Sequence, residues 1–175
     1  MKSPPLAGMN AAATSWRWPK DADRAPLAEA YGGNEMLDIY MQTDFVFTSQ
    51  VRTLARAHSA NGHPTYAYVF STVPAALNAA EQLGARHGAE LRYVFGTMDT
   101  GPVPLTTPED LEVSRVMNAA WRSFAATGSP NTPGLTQWPD YKSGELMDFA
   151  LRGPRAHVDE RNGRLDALSK VLDPK

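Results

Sequence analysis

Residues 65–70 read Thr-Tyr-Ala-Tyr-Val-Phe and form the strongest β pattern in this chain of 175 residues. Aromatic and β-branched side chains favour extended backbone because they pack well on a pleated surface. The run is apolar at nearly every position, which is typical of a strand that is covered on both faces. We therefore predict a central strand of a sheet here, and we interpret the flanking segments relative to it.

Helix is predicted upstream of this strand. Residues 27–40 suggest two helical turns with a break between them. Thr43 and Asp44 form a good N-cap pair, and apolar residues then recur at near-helical spacing. The Asn-Gly pair at 61–62 is a usual helix end. The sequence therefore predicts a helix over about 44–60.

The second half of the chain contains further helices and strands. Residues 88–95 fit either a short helix or a strand, since their apolar pattern is ambiguous. The sequence Thr-Pro-Glu-Asp at 107–110 predicts a helix start, and Gly128 ends that helix. A strand is predicted at 146–151 and a terminal helix at 159–172. This order of elements indicates an α/β layered domain.

The composition excludes several classes of function. Hydrophobic residues make up 42% of the chain, and the net charge of −2 gives no electrostatic footprint for nucleic acid. No apolar stretch approaches the roughly 18 residues of a membrane span. The absence of cysteine excludes disulfides, thiolate metal sites and a cysteine nucleophile.

Residues 1–26 are predicted to be a flexible or irregular leader, and residues 27–175 to form the folded segment. The first fifteen residues are mostly small and contain proline, and they lack the apolar centre of a signal peptide. The missing signal peptide and the missing cysteines favour a cytoplasmic location.

The most informative titratable residue is His87, in the segment 84–96 that reads Gly-Ala-Arg-His-Gly-Ala-Glu-Leu-Arg-Tyr-Val-Phe-Gly. Two glycines frame the imidazole, and an apolar run with one carboxylate follows. This pattern places a titratable ring on a tight loop in front of a packed element. Such a histidine is a candidate for acid–base catalysis because imidazole exchanges protons near neutral pH.

Residues 66–70 and 87–96 together resemble the C-terminal third of the type B carboxylesterases and cholinesterase-like α/β-hydrolases. In that family a similar strand is followed, after a loop, by His-Gly-x-Glu-(aliphatic)-x-(aromatic)-Val-Phe-Gly. Residues 121–131 resemble the family's Trp-x-x-Phe-Ala-x-Thr-Gly-x-Pro-Asn segment, and residues 138–141 its Trp-Pro-x-Tyr turn. The likeness covers roughly residues 35–150, with the motifs in the family's order.

The resemblance implies an α/β-hydrolase fold, of which this chain holds the last strands of the central sheet and their flanking helices, so the sheet is incomplete. It also implies a parent that cleaves carboxylic esters with a triad of serine, glutamate or aspartate, and histidine. His87 matches the triad histidine. In this fold the triad runs in the chain order nucleophile, acid, histidine, so serine and acid should precede His87. We predict neither a cofactor nor a metal site.

The nucleophile implied by the resemblance is missing from the sequence. No Gly-x-Ser-x-Gly pentapeptide and no glycine-rich oxyanion loop is present. Ser129, between Gly128 and Pro130, comes closest, but proline lacks the N–H that an oxyanion hole would use. The following serines lack the two flanking glycines of the pentapeptide: Ser49, Ser59, Ser71, Ser114, Ser123, Ser129, Ser143 and Ser169.

Glu35 is a weak candidate for the triad acid. Residues 32–36 faintly resemble the family's Gly-x-Asn-x-x-Glu segment, but one residue between Asn34 and Glu35 is missing. The separation from His87 is also shorter than in the family. The favoured interpretation is a solvated glutamate at a helix start.

The remaining titratable residues near these motifs are interpreted as structural. Glu90 is predicted to orient local backbone or to pair with Arg86 or Arg92. Two other histidines are five residues apart, a spacing that would suit a metal, but no third ligand stands out. We therefore interpret these residues as surface turn histidines: His58, His63 and His157.

Two functional hypotheses remain open. The first is a C-terminal fragment of a serine carboxylesterase, which acts on a small-molecule ester in the full-length parent and is inactive alone. The alternative is a non-catalytic cholinesterase-like binding module. In either case an incomplete sheet exposes edges and apolar faces, so we expect the chain to be unstable, oligomeric or aggregation-prone. The partner predicted for such an edge is a complementing N-terminal segment or a second copy of the chain.

Overall fold

The structure is a computed structural model that describes residues 19–20, 23–74, 84–100 and 106–172. The chain divides into two compact units. Unit 1 consists of residues 1–53 and 160–175, and unit 2 of residues 54–159. Each unit has its own hydrophobic core.

Unit 1 is helical in its described part. Its helices are α1 (Arg24–Tyr31), α2 (Asn34–Thr43) and α6 (Asn162–Leu172), and α3 (Ser49–Ala60) begins in it. A π-helical stretch, Asp44–Thr48, connects α2 to α3. Apolar side chains from α1, α2, the π-helical stretch and α6 form its core: Leu27, Tyr31, Leu37, Phe45 and Leu168.

α1 begins at Arg24, so the irregular leader predicted through residue 26 ends earlier than expected. Pro26 lies in the first turn of the helix, where a backbone N–H would have no intrahelical partner in any case. Residues 1–18, the larger part of the predicted leader, lie outside the described residues. The helix ends at Gly32, whose φ of 82° lies in the left-handed region that glycine adopts without strain.

The N-cap predicted at Thr43 and Asp44 is wrong. α2, the π-helical stretch and α3 follow one another without interruption, and both residues have right-handed helical dihedral angles. The carboxylate of Asp44 is buried and accepts a hydrogen bond from Nε of Arg164 at 2.7 Å. The Asp44 side chain, which the sequence predicted to cap a helix, therefore forms an ion pair with Arg164 instead. The predicted helix end at residues 61–62 is confirmed.

Unit 2 contains a three-stranded sheet in its described part. The strands are β1 (Tyr68–Phe70), β2 (Glu145–Ala150) and β3 (Gly153–Val158), in the order β1-β2-β3. β1 and β2 are parallel, and β2 and β3 form an antiparallel hairpin. The incomplete α/β sheet expected from the sequence is confirmed.

The strand predicted at 65–70 is shorter than expected. Only residues 68–70 pair as a strand, and among the described residues β1 lies at an edge of the sheet. It is not covered on both faces either, since Tyr68 is 39% exposed. A continuous apolar run favours a strand that is buried, but the strand becomes buried only where neighbouring strands and helices cover it. In the described part of the chain β1 has one such neighbour.

The later elements agree better with the sequence. The predicted strand at 146–151 and terminal helix at 159–172 are confirmed as β2 and α6, each within a few residues. β3 was not predicted, because Gly153-Pro154 is typical of a turn. Proline is tolerated near the start of a strand at the edge of a sheet, where it interrupts few ladder bonds.

α5 (Pro108–Thr127) begins as the sequence predicts. Thr107 and Asp110 form a reciprocal capping box, and Pro108 occupies the first helical position. Its buried stripe packs against α4 (Leu91–Phe95) and the sheet. Two apolar residues of α5, Leu111 and Phe124, lie outside the buried stripe and are 49% and 50% exposed.

Candidate active site

His87 lies on a tight loop directly before α4. Gly84 and Gly88, on either side of it, have φ values of 103° and 76°, which side chains with a Cβ rarely adopt. The imidazole is exposed rather than packed in the core. The tight loop expected from the two glycines is thus present. It leaves the imidazole of His87 exposed at the surface of unit 2.

α5 holds α4 in place through side-chain hydrogen bonds. The hydroxyl of Tyr93 donates to Asp110 Oδ1 at 2.7 Å. Ser114 Oγ donates to the backbone carbonyl of Tyr93 at 2.9 Å, and Asn118 Nδ2 to that of Val94 at 2.8 Å. Tyr93 and Val94 are themselves buried. The loop that carries His87 is therefore fixed at its C-terminal end to the longest helix described in unit 2.

Tyr93 is the central residue of this attachment. Burial, followed by the hydrogen bond to Asp110 and the charge of that carboxylate, raises the pKa of Tyr93 above its ordinary value of 10.0. Asp110 is fully buried and also accepts hydrogen bonds from the backbone N–H and the hydroxyl of Thr107. The start of α5 and the position of α4 thus depend on one carboxylate.

Replacing Tyr93 by phenylalanine should lower the free energy of unfolding of unit 2 by about 1–3 kcal/mol at neutral pH, because the buried Asp110 carboxylate loses a donor. Urea unfolding followed by circular dichroism measures this change. Tyr66→Phe is the matched control, since the Tyr66 hydroxyl has no hydrogen-bond partner among the described residues. Equal stability of the two variants would contradict the role given to the Tyr93–Asp110 bond.

The same bond predicts a pH dependence. Since the folded-state pKa of Tyr93 is raised, its contribution to stability is complete below about pH 10 and is lost as the pH rises through the folded-state value. We expect the unsubstituted protein to lose more stability between pH 9 and 12 than the Tyr93→Phe variant. If the free energy of unfolding of the two proteins fell equally between pH 9 and 12, this prediction would be contradicted.

A second polar cluster joins the three strands. Asp148 on β2 is 4% exposed and accepts a hydrogen bond from Ser71 Oγ at 2.5 Å and from Arg155 Nε at 3.3 Å. Nε2 of His157 lies 3.9 Å from the same carboxylate. The prediction that His157 is a surface turn residue is therefore wrong, because it lies on β3 and faces a buried acid.

This cluster brings serine, aspartate and histidine together without forming a nucleophile relay. The Ser71 hydroxyl donates directly to the carboxylate, whereas a catalytic serine donates to the imidazole. Other serine hydroxyls donate to backbone carbonyls, as Ser114 does to Tyr93 and Ser123 to Ser129. The alternation of side chains along a strand would have predicted that Asp148 and Ser71 meet only if the register between β1 and β2 had been known, and the sequence alone does not give that register.

The remaining sequence candidates have ordinary environments. Glu35 is exposed in the first turn of α2, as expected for a solvated helix-start glutamate. The guanidinium of Arg92 donates to the carbonyl of Met98. The pKa of Tyr68 is raised mainly by burial of the phenol and, to a smaller extent, by the negative charge of Glu90.

The His58–His63 pair forms a stack rather than a metal site. The two rings are 4.8 Å apart with an interplanar angle of 26°, and His58 Nδ1 lies 2.9 Å from Thr65 Oγ1. Among the described residues no group of three or more histidine, aspartate or glutamate side chains is arranged to hold a metal ion. In the same part of the chain, no helix is long and apolar enough to cross a membrane.

The family is decided by a comparison with known protein families. A family model described as the carboxylesterase family matches residues 29–165, which is most of the chain. The chain belongs to the carboxylesterase family. The resemblance seen in residues 66–70 and 87–96 is thereby confirmed.

Relatives of this carboxylesterase-family chain include an acetylcholinesterase and a carboxylesterase. It is 34% identical to acetylcholinesterase 1 of Caenorhabditis elegans over 108 residues, which are 59% of this chain and 17% of that protein. It is 32% identical to carboxylesterase 3 of Pongo abelii over 123 residues, or 66% of this chain and 22% of the relative. The chain thus spans about a fifth of the length of these relatives.

Solved structures agree on the fold. A carboxylesterase of Geobacillus stearothermophilus at pH 6.2 aligns with 89% of this chain and 33% of its own, with a TM-score of 0.68 and 22% identity. The same enzyme at pH 6.8 aligns with 75% of this chain and 27% of its own, with a TM-score of 0.60 and 27% identity. The fold is therefore that of part of an α/β-hydrolase domain.

Proposed function

We propose that this chain is part of a serine carboxylesterase and that His87 is the general base of its catalytic triad. Membership of the carboxylesterase family supports an ester hydrolase. In acyl transfer the histidine takes the proton of the attacking serine hydroxyl and returns a proton to the leaving alcohol. The observation that carries the assignment is the family's histidine motif at 87–96, mounted with its imidazole exposed.

The way the loop is held supports this role. A general base must keep a fixed position relative to the nucleophile, since small displacements reduce the rate steeply. The bonds of Tyr93, Ser114 and Asn118 fix α4 to α5, and the loop that carries His87 enters α4 directly. A solvent-facing ring on a fixed loop suits a base that meets a serine from another segment.

The nucleophile, the acid and the oxyanion hole belong, in this proposal, to sequence outside these 175 residues. The chain contains no Gly-x-Ser-x-Gly pentapeptide, and the Ser71 hydroxyl already donates to Asp148. Two backbone N–H groups aimed at the developing oxyanion account for a large share of such catalysis. Without them a lone histidine adds little to the rate, so we infer that the chain is inactive by itself.

An ester-hydrolysis assay tests the proposal. We expect the chain and its His87→Ala variant to hydrolyse p-nitrophenyl butyrate at the same rate as buffer. With the segment encoded directly upstream in the same genome added, we expect activity that falls by at least about 10⁴-fold in the His87→Ala variant. Arg86→Ala, on the same loop, is the matched control and should keep its activity within about threefold.

Two outcomes would overturn the proposal. A rate above buffer for the chain alone that depends on His87 would reveal a nucleophile within these residues. An upstream segment without Gly-x-Ser-x-Gly, or a mixture whose activity ignores the His87→Ala substitution, would remove the basis for a catalytic histidine.

The second candidate function is a non-catalytic carboxylesterase-like interaction module. The missing pentapeptide favours it, because a domain that only binds needs no nucleophile. It predicts that His87→Ala has no effect on any complex the chain forms. Pull-down with the unsubstituted chain and with an intact variant altered at the binding surface distinguishes this function from catalysis.

A further inference from the structure

The chain is held tightly where it leaves β1. The backbone N–H of Ser71 donates to the carbonyl of Phe149 at 3.1 Å, and the hydroxyl of Thr72 donates to the same carbonyl at 2.9 Å. Thr72 is fully buried. β2 therefore fixes the first two residues after β1, at the start of the segment that leads to His87.

Asp148 adds a side-chain bond to this attachment. Its carboxylate accepts a hydrogen bond from Ser71 Oγ through Oδ1 at 2.5 Å. The other oxygen, Oδ2, accepts from Arg155 Nε at 3.3 Å and lies 3.9 Å from His157 Nε2. A hydrogen bond to an ionised acceptor is about twice as strong as one between neutral groups. The two cationic side chains of β3 thus face one oxygen of Asp148, and the end of β1 binds the other.

The end of β1 also contacts the helix that follows His87. The ring of Phe70, the last residue of β1, lies 4.9 Å from that of Tyr93 on α4, measured between centroids. Phe70 packs against the hydrophobic core of unit 2, of which Tyr93 is part. Separated residues are coupled through such chains of hydrogen bonds and packed side chains. A continuous path of contacts therefore runs from Asp148 through Ser71 and Phe70 to α4.

This path lies at the edge of the sheet where a functional site is expected. β1 and β2 are parallel, so their carboxyl ends lie at the same edge. Asp148 is in the C-terminal half of β2, and Ser71 directly follows β1. Open α/β sheets bind their ligands outside the carboxyl ends of the strands. His87 belongs to the segment that leaves the sheet at this edge.

We propose that Asp148 is a positioning residue for the proposed catalytic base His87. Through Ser71 its carboxylate fixes the end of β1, and the contact between Phe70 and Tyr93 in turn fixes α4. The sheet then holds α4 in addition to the hydrogen bonds that α5 makes with it. This inference rests on the proposed function, since the position of α4 affects a reaction only where His87 takes part in it.

Ser71→Ala tests the proposal with a small change, because it removes one hydroxyl and leaves Asp148 paired with Arg155. We measure hydrolysis of p-nitrophenyl butyrate in the mixture with the segment encoded directly upstream. We expect kcat to fall about tenfold while KM stays within about twofold, because a displaced base weakens the transition state rather than the binding of substrate.

Two further variants accompany this measurement. Ser71→Thr keeps the hydroxyl at this exposed position and should restore kcat to within about twofold of the unsubstituted mixture. Ser143→Ala is the matched control, since it also removes a hydroxyl from an exposed serine beside β2. Ser143 Oγ donates to the Asp140 carbonyl at 3.0 Å, before the opposite end of β2, and its loss should leave kcat unchanged.

Hydrogen exchange on the chain alone separates positioning from a general loss of stability. The amides of Tyr93 and Val94 donate to the Glu90 carbonyl at 3.0 and 2.9 Å. In Ser71→Ala we expect these two amides to exchange at least about threefold faster, while the amides of α5 are unchanged. Equal acceleration throughout unit 2 would indicate a folding defect and overturn the proposal.

The failure of this inference differs from the failure of the proposed function. Activity that depends on His87 but is unchanged in Ser71→Ala overturns the positioning role alone. A loss of kcat that Ser71→Thr does not restore, or that Ser143→Ala shares, limits the cluster to a structural role and overturns the proposal too. If the unsubstituted mixture has no activity that depends on His87, the proposed function fails and the positioning role fails with it.

Discussion

Trp138→Ala is expected to lower the free energy of unfolding of unit 2 by about 3–5 kcal/mol, the usual range for removing a buried tryptophan. Trp138 is 5% exposed, and its ring lies 5.3 Å from that of Phe149 and 5.4 Å from that of Trp121, measured between centroids. The loss is comparable with the whole stability of a small domain.

The indole also makes a directional contact with Ala67, the residue directly before β1. Its Nε1–H donates to the carbonyl of Ala67 at 2.9 Å, and its backbone is held by Asn131 through bonds of 2.7 and 3.0 Å. Trp138 thus helps to position β1. The substitution should loosen β1 and the Trp-Pro-x-Tyr turn together.

Urea unfolding monitored by far-UV circular dichroism measures the effect. Trp138→Phe is the matched variant, because it keeps an aromatic ring but removes the Nε1–H, and it should cost about 1–2 kcal/mol. A Trp138→Ala variant within about 1 kcal/mol of the unsubstituted protein would show that the aromatic cluster repacks around the gap.

Asp44→Ala should be the most damaging polar substitution in unit 1, at about 2–4 kcal/mol. Asp44 is 2% exposed and accepts from Arg164 Nε at 2.7 Å. The guanidinium lies over the ring of Tyr40 at 4.7 Å and over that of Tyr31 at 5.4 Å. Removing the carboxylate leaves a largely buried cation that only two aromatic faces stabilise. The expected loss is smaller than that for a fully buried ion pair because the Arg164 side chain is 21% exposed.

A double-mutant cycle with Arg164→Met measures the coupling. The double variant Asp44→Ala/Arg164→Met should be more stable than Asp44→Ala alone, since it carries no uncompensated charge. Additive effects of the two substitutions would show that the pair contributes no interaction energy. The cycle also reports on Tyr31, whose pKa is raised by burial and by the Asp44 carboxylate.

The sequence predicted best where the determinants are local. The capping box of Thr107 and Asp110 and the glycine at 128 place both ends of α5 correctly, because each involves backbone groups within a few residues. The glycines around His87 likewise predicted a tight loop, and Gly84 and Gly88 have the backbone angles that only glycine adopts easily. The family motif at 87–96 needed no tertiary information either.

The sequence failed where distant residues compete for the same group. Asp44 had the local features of a cap, but an arginine 120 positions away binds its carboxylate. The cluster of Ser71, Asp148 and His157 is invisible in sequence because it depends on the register of three strands. Leu111 and Phe124 fit the helical stripe, yet burial depends on what packs against each turn.

For this chain, the amino-acid sequence by itself determined the family, the histidine on its glycine-framed loop and the ends of α5. Each of these is encoded in contiguous residues. Only the tertiary structure decided which residues of the apolar run at 65–70 pair as a strand, namely 68–70, and that they pair with β2. The physical reason is that the hydrophobicity of a segment indicates how strongly it prefers to be buried, whereas its actual pairing depends on which other strands are near it in the folded chain.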